Sequence, residues 1–186
     1  QAGIYRSGAG DDIYNLQDGY RSGYVNSLNL NTGAGSDTVN VNTSLDYAFF
    51  YLEDGNDIFN LNKKSSKSYD YCYVSAGGGN DIINIKEGYD SSFQGYGGSG
   101  NDTFNLTGDK SFADYINLYG ELGEDIFNIS GNFSNQGNSI SGGDDDDTID
   151  ISNTTGLTAS KKDTYIRGDQ GNDYIIGSSE GNRLIG

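Results

Sequence analysis

The residues best placed to do chemistry in this chain are aspartates. Asp12, Asp37, Asp57, Asp81, Asp102, Asp125, Asp147 and Asp173 each close a short phrase: GAGDD, GAGSD, EDGND, GGGND, GSGND, ELGED, GDDDD and DQGND. Other acids crowd the same turns, among them Asp11, Glu53, Asp54, Glu121, Glu124, Asp144, Asp145, Asp146 and Asp169. Recurring carboxylates beside glycine-rich backbone are a supply of hard oxygen atoms, which suits cation binding. Rival chemistries are few. The chain has no His and a single Cys, which excludes Ser-His-Asp, Cys-His and His-ligated zinc arrangements, and any internal disulfide.

Overall charge points the same way. There are 27 acidic residues against 11 basic ones, a net charge of −16, and only five of the acids are Glu. That balance opposes a nucleic-acid partner or an anionic membrane surface. No apolar run approaches the roughly 20 residues of a membrane-spanning helix, so no membrane insertion is expected. Mean hydropathy is −0.63, yet 12% of residues are aromatic and the apolar ones fall in a fixed order, which argues against disorder.

A column of acids needs elements that repeat in register. Successive anchor aspartates stand 25, 20, 24, 21, 23, 22 and 26 residues apart, a spacing typical of stacked coils. After each anchor the sequence alternates. The second and fourth residues are apolar in Tyr14/Leu16, Val39/Val41, Phe59/Leu61, Ile83/Ile85, Phe104/Leu106, Phe127/Ile129 and Ile149/Ile151. The first and third are Ile or Thr, then Asn, as in Ile13/Asn15, Thr38/Asn40, Ile58/Asn60, Ile82/Asn84, Thr103/Asn105 and Ile126/Asn128, varied to Thr148/Asp150. Period two marks a strand with one buried face.

A second strand precedes each turn. Seven residues before the anchor stand Leu30, Phe50, Val74, Gly95, Leu118, Ile140 and Ile166; nine before it stand Leu28, Ala48, Cys72, Phe93, Ile116, Asn138 and Thr164. Cys72 thus falls in an inward register and is expected to be a buried, inert thiol. Each unit is strand, tight turn, strand, then a connection of about 5 to 11 residues that absorbs all length variation. Lys63, Lys64, Lys67, Lys161 and Lys162 lie in such connections and are expected to be solvated. No 3.6-residue apolar period appears, so helix is not expected. The expected fold is all-β: one domain over residues 1–186, a parallel β-helix or β-roll solenoid of about eight coils of about 23 residues. Stacked at ~4.8 Å, the coils would form a rod of roughly 40 Å.

Stacking places the anchors above one another at about 5 Å, close enough for appreciable repulsion. A divalent cation relieves it. Ca²⁺ accepts six to eight oxygens in flexible geometry, including backbone carbonyls presented by glycine turns. About eight such ions would offset roughly sixteen charges, close to the net −16.

The turn resembles the RTX (hemolysin-type) calcium-binding repeat, Gly-Gly-x-Gly-x-Asp-x-apolar-x, which builds a parallel β-roll. Ala76–Ile83, Gly97–Phe104 and Gly168–Gly177 carry the resemblance, the last followed by Glu180-Gly181-Asn182-Arg183-Leu184-Ile185-Gly186. It implies ligation of about seven or eight Ca²⁺ by the eight anchor carboxylates, with Asp145 and Asp169 also in the turns. Turn carbonyls near Gly8, Gly10, Gly33, Gly35, Gly55, Gly77, Gly79, Gly98, Gly100, Gly123, Gly143 and Gly171 would complete the shells. This chain departs from the family pattern in having one turn per coil of about 23 residues, where RTX repeats run at nine, so ions are expected along one edge only. Arg183 stands where the last repeat would carry its Asp, so the ion column is expected to end there.

The remaining surface suggests partners. The outward Ile/Thr-x-Asn ranks make a solvated sheet face or, on a second reading, an ice-binding face. Outward Phe49, Tyr51, Tyr73, Tyr96, Tyr119 and Tyr165 make sheet decoration or a polysaccharide-binding strip. A glycan-active β-helix enzyme would need outward carboxylates, and most acids here belong to turns, so no enzymatic activity is expected. Gln1 to Arg6 resemble an incoming strand and Gly186 stops within a unit, which suggests neighbouring repeats or end-to-end stacking into a filament. The expectation is a secreted or cell-surface bacterial structural module, a calcium-stiffened rod within an adhesin, surface layer or matrix fibre.

Overall fold

The computed structural model describes residues 3–17, 24–25, 27–62, 71–86, 92–112, 115–133, 137–158 and 164–186. The connections bearing Lys63, Lys64, Lys67, Lys161 and Lys162 lie outside them. The fold is an all-β parallel solenoid, with no helix among the described residues.

Strands that enter the turns form one nine-stranded sheet: Gly3–Arg6, Leu28–Asn31, Tyr47–Tyr51, Tyr71–Gly78, Ser92–Ser99, Ile116–Leu122, Ser139–Asp144, Tyr165–Gln170 and Leu184–Ile185. Strands that leave them form an eight-stranded sheet: Ile13–Gln17, Thr38–Asn42, Ile58–Leu61, Ile82–Ile85, Thr103–Phe112, Ile126–Phe133, Thr148–Thr155 and Tyr174–Ile176. Each strand pairs with its equivalent one coil away, so chain order and sheet order coincide. The register is the one the repeat dictates: Ala48, Cys72 and Phe93 are partners in one row, and Phe59, Ile83, Phe104 and Phe127 in another.

Like therefore stacks on like, and the core is a set of apolar columns between two sheets. Phe104 and Phe127, both fully buried, lie with centroids 4.7 Å apart and planes within 2°. Phe50 of the entering sheet meets Phe59 of the leaving sheet at 4.8 Å. Cys72 is fully buried and unpaired, and burial pushes its thiol far above the usual range, consistent with the expected inert role. Tyr14, Leu16 and Ile175, in the outermost coils, are only partly buried because each has a neighbouring coil on one side.

Among the described residues, strands extend into the far side of several coils. Strands Thr103–Phe112, Ile126–Phe133 and Thr148–Thr155 continue past the alternating segment and pair on through irregularities at Thr107/Ser111 and Asn128/Ser130. Phe133, Thr154 and Leu157 are buried there, and Tyr24–Val25 pairs with Ser44–Leu45 in a third small sheet. Among the described residues, Leu45, Phe133 and Leu157 thus add apolar cover to the core from the connections. Their spacing varies from unit to unit, which hid them from a periodicity argument.

Both outer faces are internally bonded. Each of Asn40, Asn60, Asn84, Asn105 and Asn128 donates its side-chain amide to the Asn one coil earlier, at 2.9–3.0 Å. On the other face Tyr51, Tyr73, Tyr96 and Tyr119 form a ring column with centroids 4.9–5.7 Å apart.

Candidate functional site

The turns joining the two sheets hold the aspartates, and the backbone there explains the glycines. At the positions two and four before each anchor, φ is positive, between 76° and 145°, in every coil after the first. Glycine adopts this conformation freely. It is also needed for close approach: a Cβ on Gly55 would lie 1.9 Å from the Gly35 carbonyl oxygen. The exceptions to glycine in these two columns are Glu53, Glu121, Asp145 and Asp169. All four are acids, so negative charge is retained at the turn even where the backbone disfavours a side chain.

The carboxylates turn inward. Asp37, Asp57, Asp81, Asp102, Asp125 and Asp147 are each at most 2% exposed, whereas Asp12 and Asp173, at the two ends of the column, are half-buried. From Asp12 to Asp147, the backbone N–H of each anchor donates to Oδ1 of the anchor one coil later, at 2.6–3.1 Å. The residue before the anchor runs a ladder in the opposite sense. Ser36, Asn80, Asn101, Glu124 and Asn172 donate backbone N–H to a side-chain oxygen of Asp11, Asn56, Asn80, Asn101 and Asp146, one coil earlier. Side-chain oxygens thus satisfy turn amides from both directions, which is why Asp fills the anchor place in every coil and Asp or Asn the place before it in six of the eight.

Half of each inner carboxylate is left over. Oδ2 of Asp37, Asp57, Asp81, Asp102, Asp125 and Asp147 is buried without a hydrogen-bond partner. Burial without compensation disfavours the charged form. It pushes Asp57, Asp81, Asp102 and Asp125 up to about 7, with neighbouring anchor charges adding to the effect and the accepted N–H bond opposing it. Asp147 rises to about 6 for the same reasons. Protons or cations would each compensate such a row of half-satisfied carboxylates.

Candidate ligands are distributed in a definite way. Among the described residues no three acid side chains gather at one point, so any bound ion would draw on carbonyls as well as carboxylates. The carbonyls of Gly8, Gly10, Gly35, Gly55, Gly77, Gly79 and Gly100 pack against the glycine of the next coil, where a Cβ would approach them within 1.9–2.5 Å. The carbonyls beside the orphan oxygens belong to other glycines. A Cβ built on Gly97, Gly120 or Gly142 would meet Oδ2 of Asp102, Asp125 or Asp147 at 1.9–2.1 Å, and the carbonyl oxygen of Gly120, Gly142 or Gly168 at 2.3–2.8 Å. These glycines, five residues before the anchor, were visible in the motif only as the first Gly of Gly97-Gly98-Ser99-Gly100-Asn101-Asp102 and of Gly168-Asp169-Gln170-Gly171-Asn172-Asp173. Asp169 accepts from the Ser141 hydroxyl, and Arg183 lies over the Tyr165 ring at 4.5 Å from its centroid.

Compared with family models, curated proteins and solved structures, the chain matches none of them. The fold and the stacked ladders of Asp and Asn stand on the structure alone.

Proposed function

We propose that this protein is a calcium-stabilised structural repeat module, working outside the cell as a stiff segment of an adhesin, surface layer or matrix fibre of a bacterium. The observation that carries the reading is the row of buried carboxylate oxygens with no hydrogen-bond partner. They fit a hard divalent cation: each is a buried carboxyl oxygen without a donor, those of Asp102, Asp125 and Asp147 have a backbone carbonyl oxygen close by, and the turn acids keep the region negative. The RTX-like phrasing of the turns supports the same ion. In this reading the anchors and nearby carbonyls hold Ca²⁺, and the bound ion supplies the positive charge that lets superposed carboxylates coexist. Binding free energy then becomes folding free energy, so the rod is rigid where calcium is plentiful.

The other readings have less to draw on. The Asn amides that would face ice or a ligand already donate to one another. Tyr96 and Tyr119 stack within 18° of parallel, each covering a ring face that a sugar would need. The experiment is circular dichroism of the full chain during a chelator and Ca²⁺ titration. Full β-structure and an unchanged melting temperature after complete removal of calcium would refute the proposal, whereas loss of structure restored by Ca²⁺ would support it. Thermal hysteresis or glycan-array binding would redirect it to the surface faces.

A further inference from the structure

The aspartate column is built in two ways, and the difference lies five residues before each anchor. In the first four coils this residue is Ser7, Thr32, Leu52 or Ala76; in the last four it is Gly97, Gly120, Gly142 or Gly168. Where glycine stands, the carboxylate occupies the room a side chain would take. Oδ2 of Asp102, Asp125 and Asp147 lies 2.1, 1.9 and 2.0 Å from the Cβ position of Gly97, Gly120 and Gly142. The carbonyl oxygens of Gly120, Gly142 and Gly168 close the same three spaces from the following coil, at 2.8, 2.3 and 2.7 Å from those positions. Two acceptors share each space; the carboxylate oxygen has no donor in either half of the column, as Asp37, Asp57 and Asp81 show, so the difference is the carbonyl-faced space that glycine leaves.

In the first half the space is filled. The Ser7 hydroxyl donates to Asp12 Oδ2. The Thr32 hydroxyl donates at 2.8 Å to the Leu52 carbonyl, the equivalent of the carbonyl that faces the carboxylate in later coils. Leu52 and Ala76, at most 1% exposed, place carbon there.

We infer that divalent cations load the second half of the column alone, at three inter-coil sites formed by Asp102 with the Gly120 carbonyl, Asp125 with the Gly142 carbonyl and Asp147 with the Gly168 carbonyl. This rests on the calcium reading above and sharpens it. The glycine at the fifth position before the anchor, more than the anchor itself, decides which coils bind. The first four coils form a permanently cation-free segment, and ion-dependent stiffening is confined to the other end of the rod.

The test is equilibrium dialysis of the full chain against radioactive Ca²⁺, with circular dichroism to verify folding. Three ions per chain are expected for the natural sequence. Ala76→Gly opens the equivalent space beside Asp81 and should raise the count to four. Gly120→Ala should lower it to two if the variant folds; if it does not, Ala76→Gly still decides. Seven or eight ions in the natural sequence would overturn the division while leaving calcium binding intact. Three ions unchanged by Ala76→Gly would overturn the role of glycine. No bound ions at all would overturn both this inference and the calcium reading.

Discussion

Asp102→Asn separates the two states of the column. Asp102 Oδ1 accepts the Asp81 N–H at 2.8 Å, and its other oxygen is buried without a partner in the space it shares with the Gly120 carbonyl. Asparagine keeps the acceptor and replaces the orphan oxygen with an amide donor facing that carbonyl. An unsatisfied buried acceptor costs about 1–3 kcal/mol, so the substitution should stabilise the metal-free fold by about that much. For a chain of this size each kcal/mol moves the melting temperature by roughly 2–4 °C, giving a rise of about 2–12 °C. The gain should depend on pH. Burial holds Asp102 at about 7, so at pH 8 the residue replaced is mainly a carboxylate, and at pH 5 it is a neutral acid that already carries a donor. The rise should therefore appear at pH 8 and largely vanish at pH 5. If Asp102 ligates Ca²⁺ as proposed, the sign reverses when calcium is present, because an anionic ligand is lost. Differential scanning calorimetry of both proteins, in chelator and in Ca²⁺ at each pH, measures all four cases. A metal-free variant that melts below the natural protein at pH 8 would refute the half-satisfied carboxylate.

Three further outcomes follow from the same geometry. In chelator, the natural protein should lose stability as pH rises from 5 to 8. Burial raises the folded-state values of Asp57, Asp81, Asp102 and Asp125 from 3.8 to about 7, so their contribution is complete below pH 3.8 and is lost as pH passes through 7. A flat or rising melting temperature over that range would contradict this. Gly79→Ala forces a side chain onto φ +129° and to 1.9 Å from the Gly55 carbonyl oxygen; urea denaturation should show a loss of about 3 kcal/mol or more. Phe104→Ala removes a fully buried ring stacked at 4.7 Å on Phe127 and should cost about 3–5 kcal/mol in the same assay.

Most of the scaffold was legible in the linear order of residues. Alternation after each Asp located the leaving strands, and counting back from it located the entering ones. A parallel stack repeats one register, so inward residues such as Val39, Phe59 and Ile83 can be identified without coordinates. The irregular connections were not legible, because Leu45, Phe133 and Leu157 close the core at places no repeat marks.

The sequence by itself determined that an Asp recurs at every turn with glycine or an acid two and four residues before it, because a stacked repeat writes the same residues at the same places in each coil. Only the tertiary structure decided where each carboxylate points and which atoms meet it. Its partners are the amide of the preceding coil, 20 to 26 residues earlier, and in the second half of the column the carbonyl of the following coil, 17 to 21 residues later. Such contacts come into being when coils stack at hydrogen-bonding distance, and no single coil contains both halves of the site.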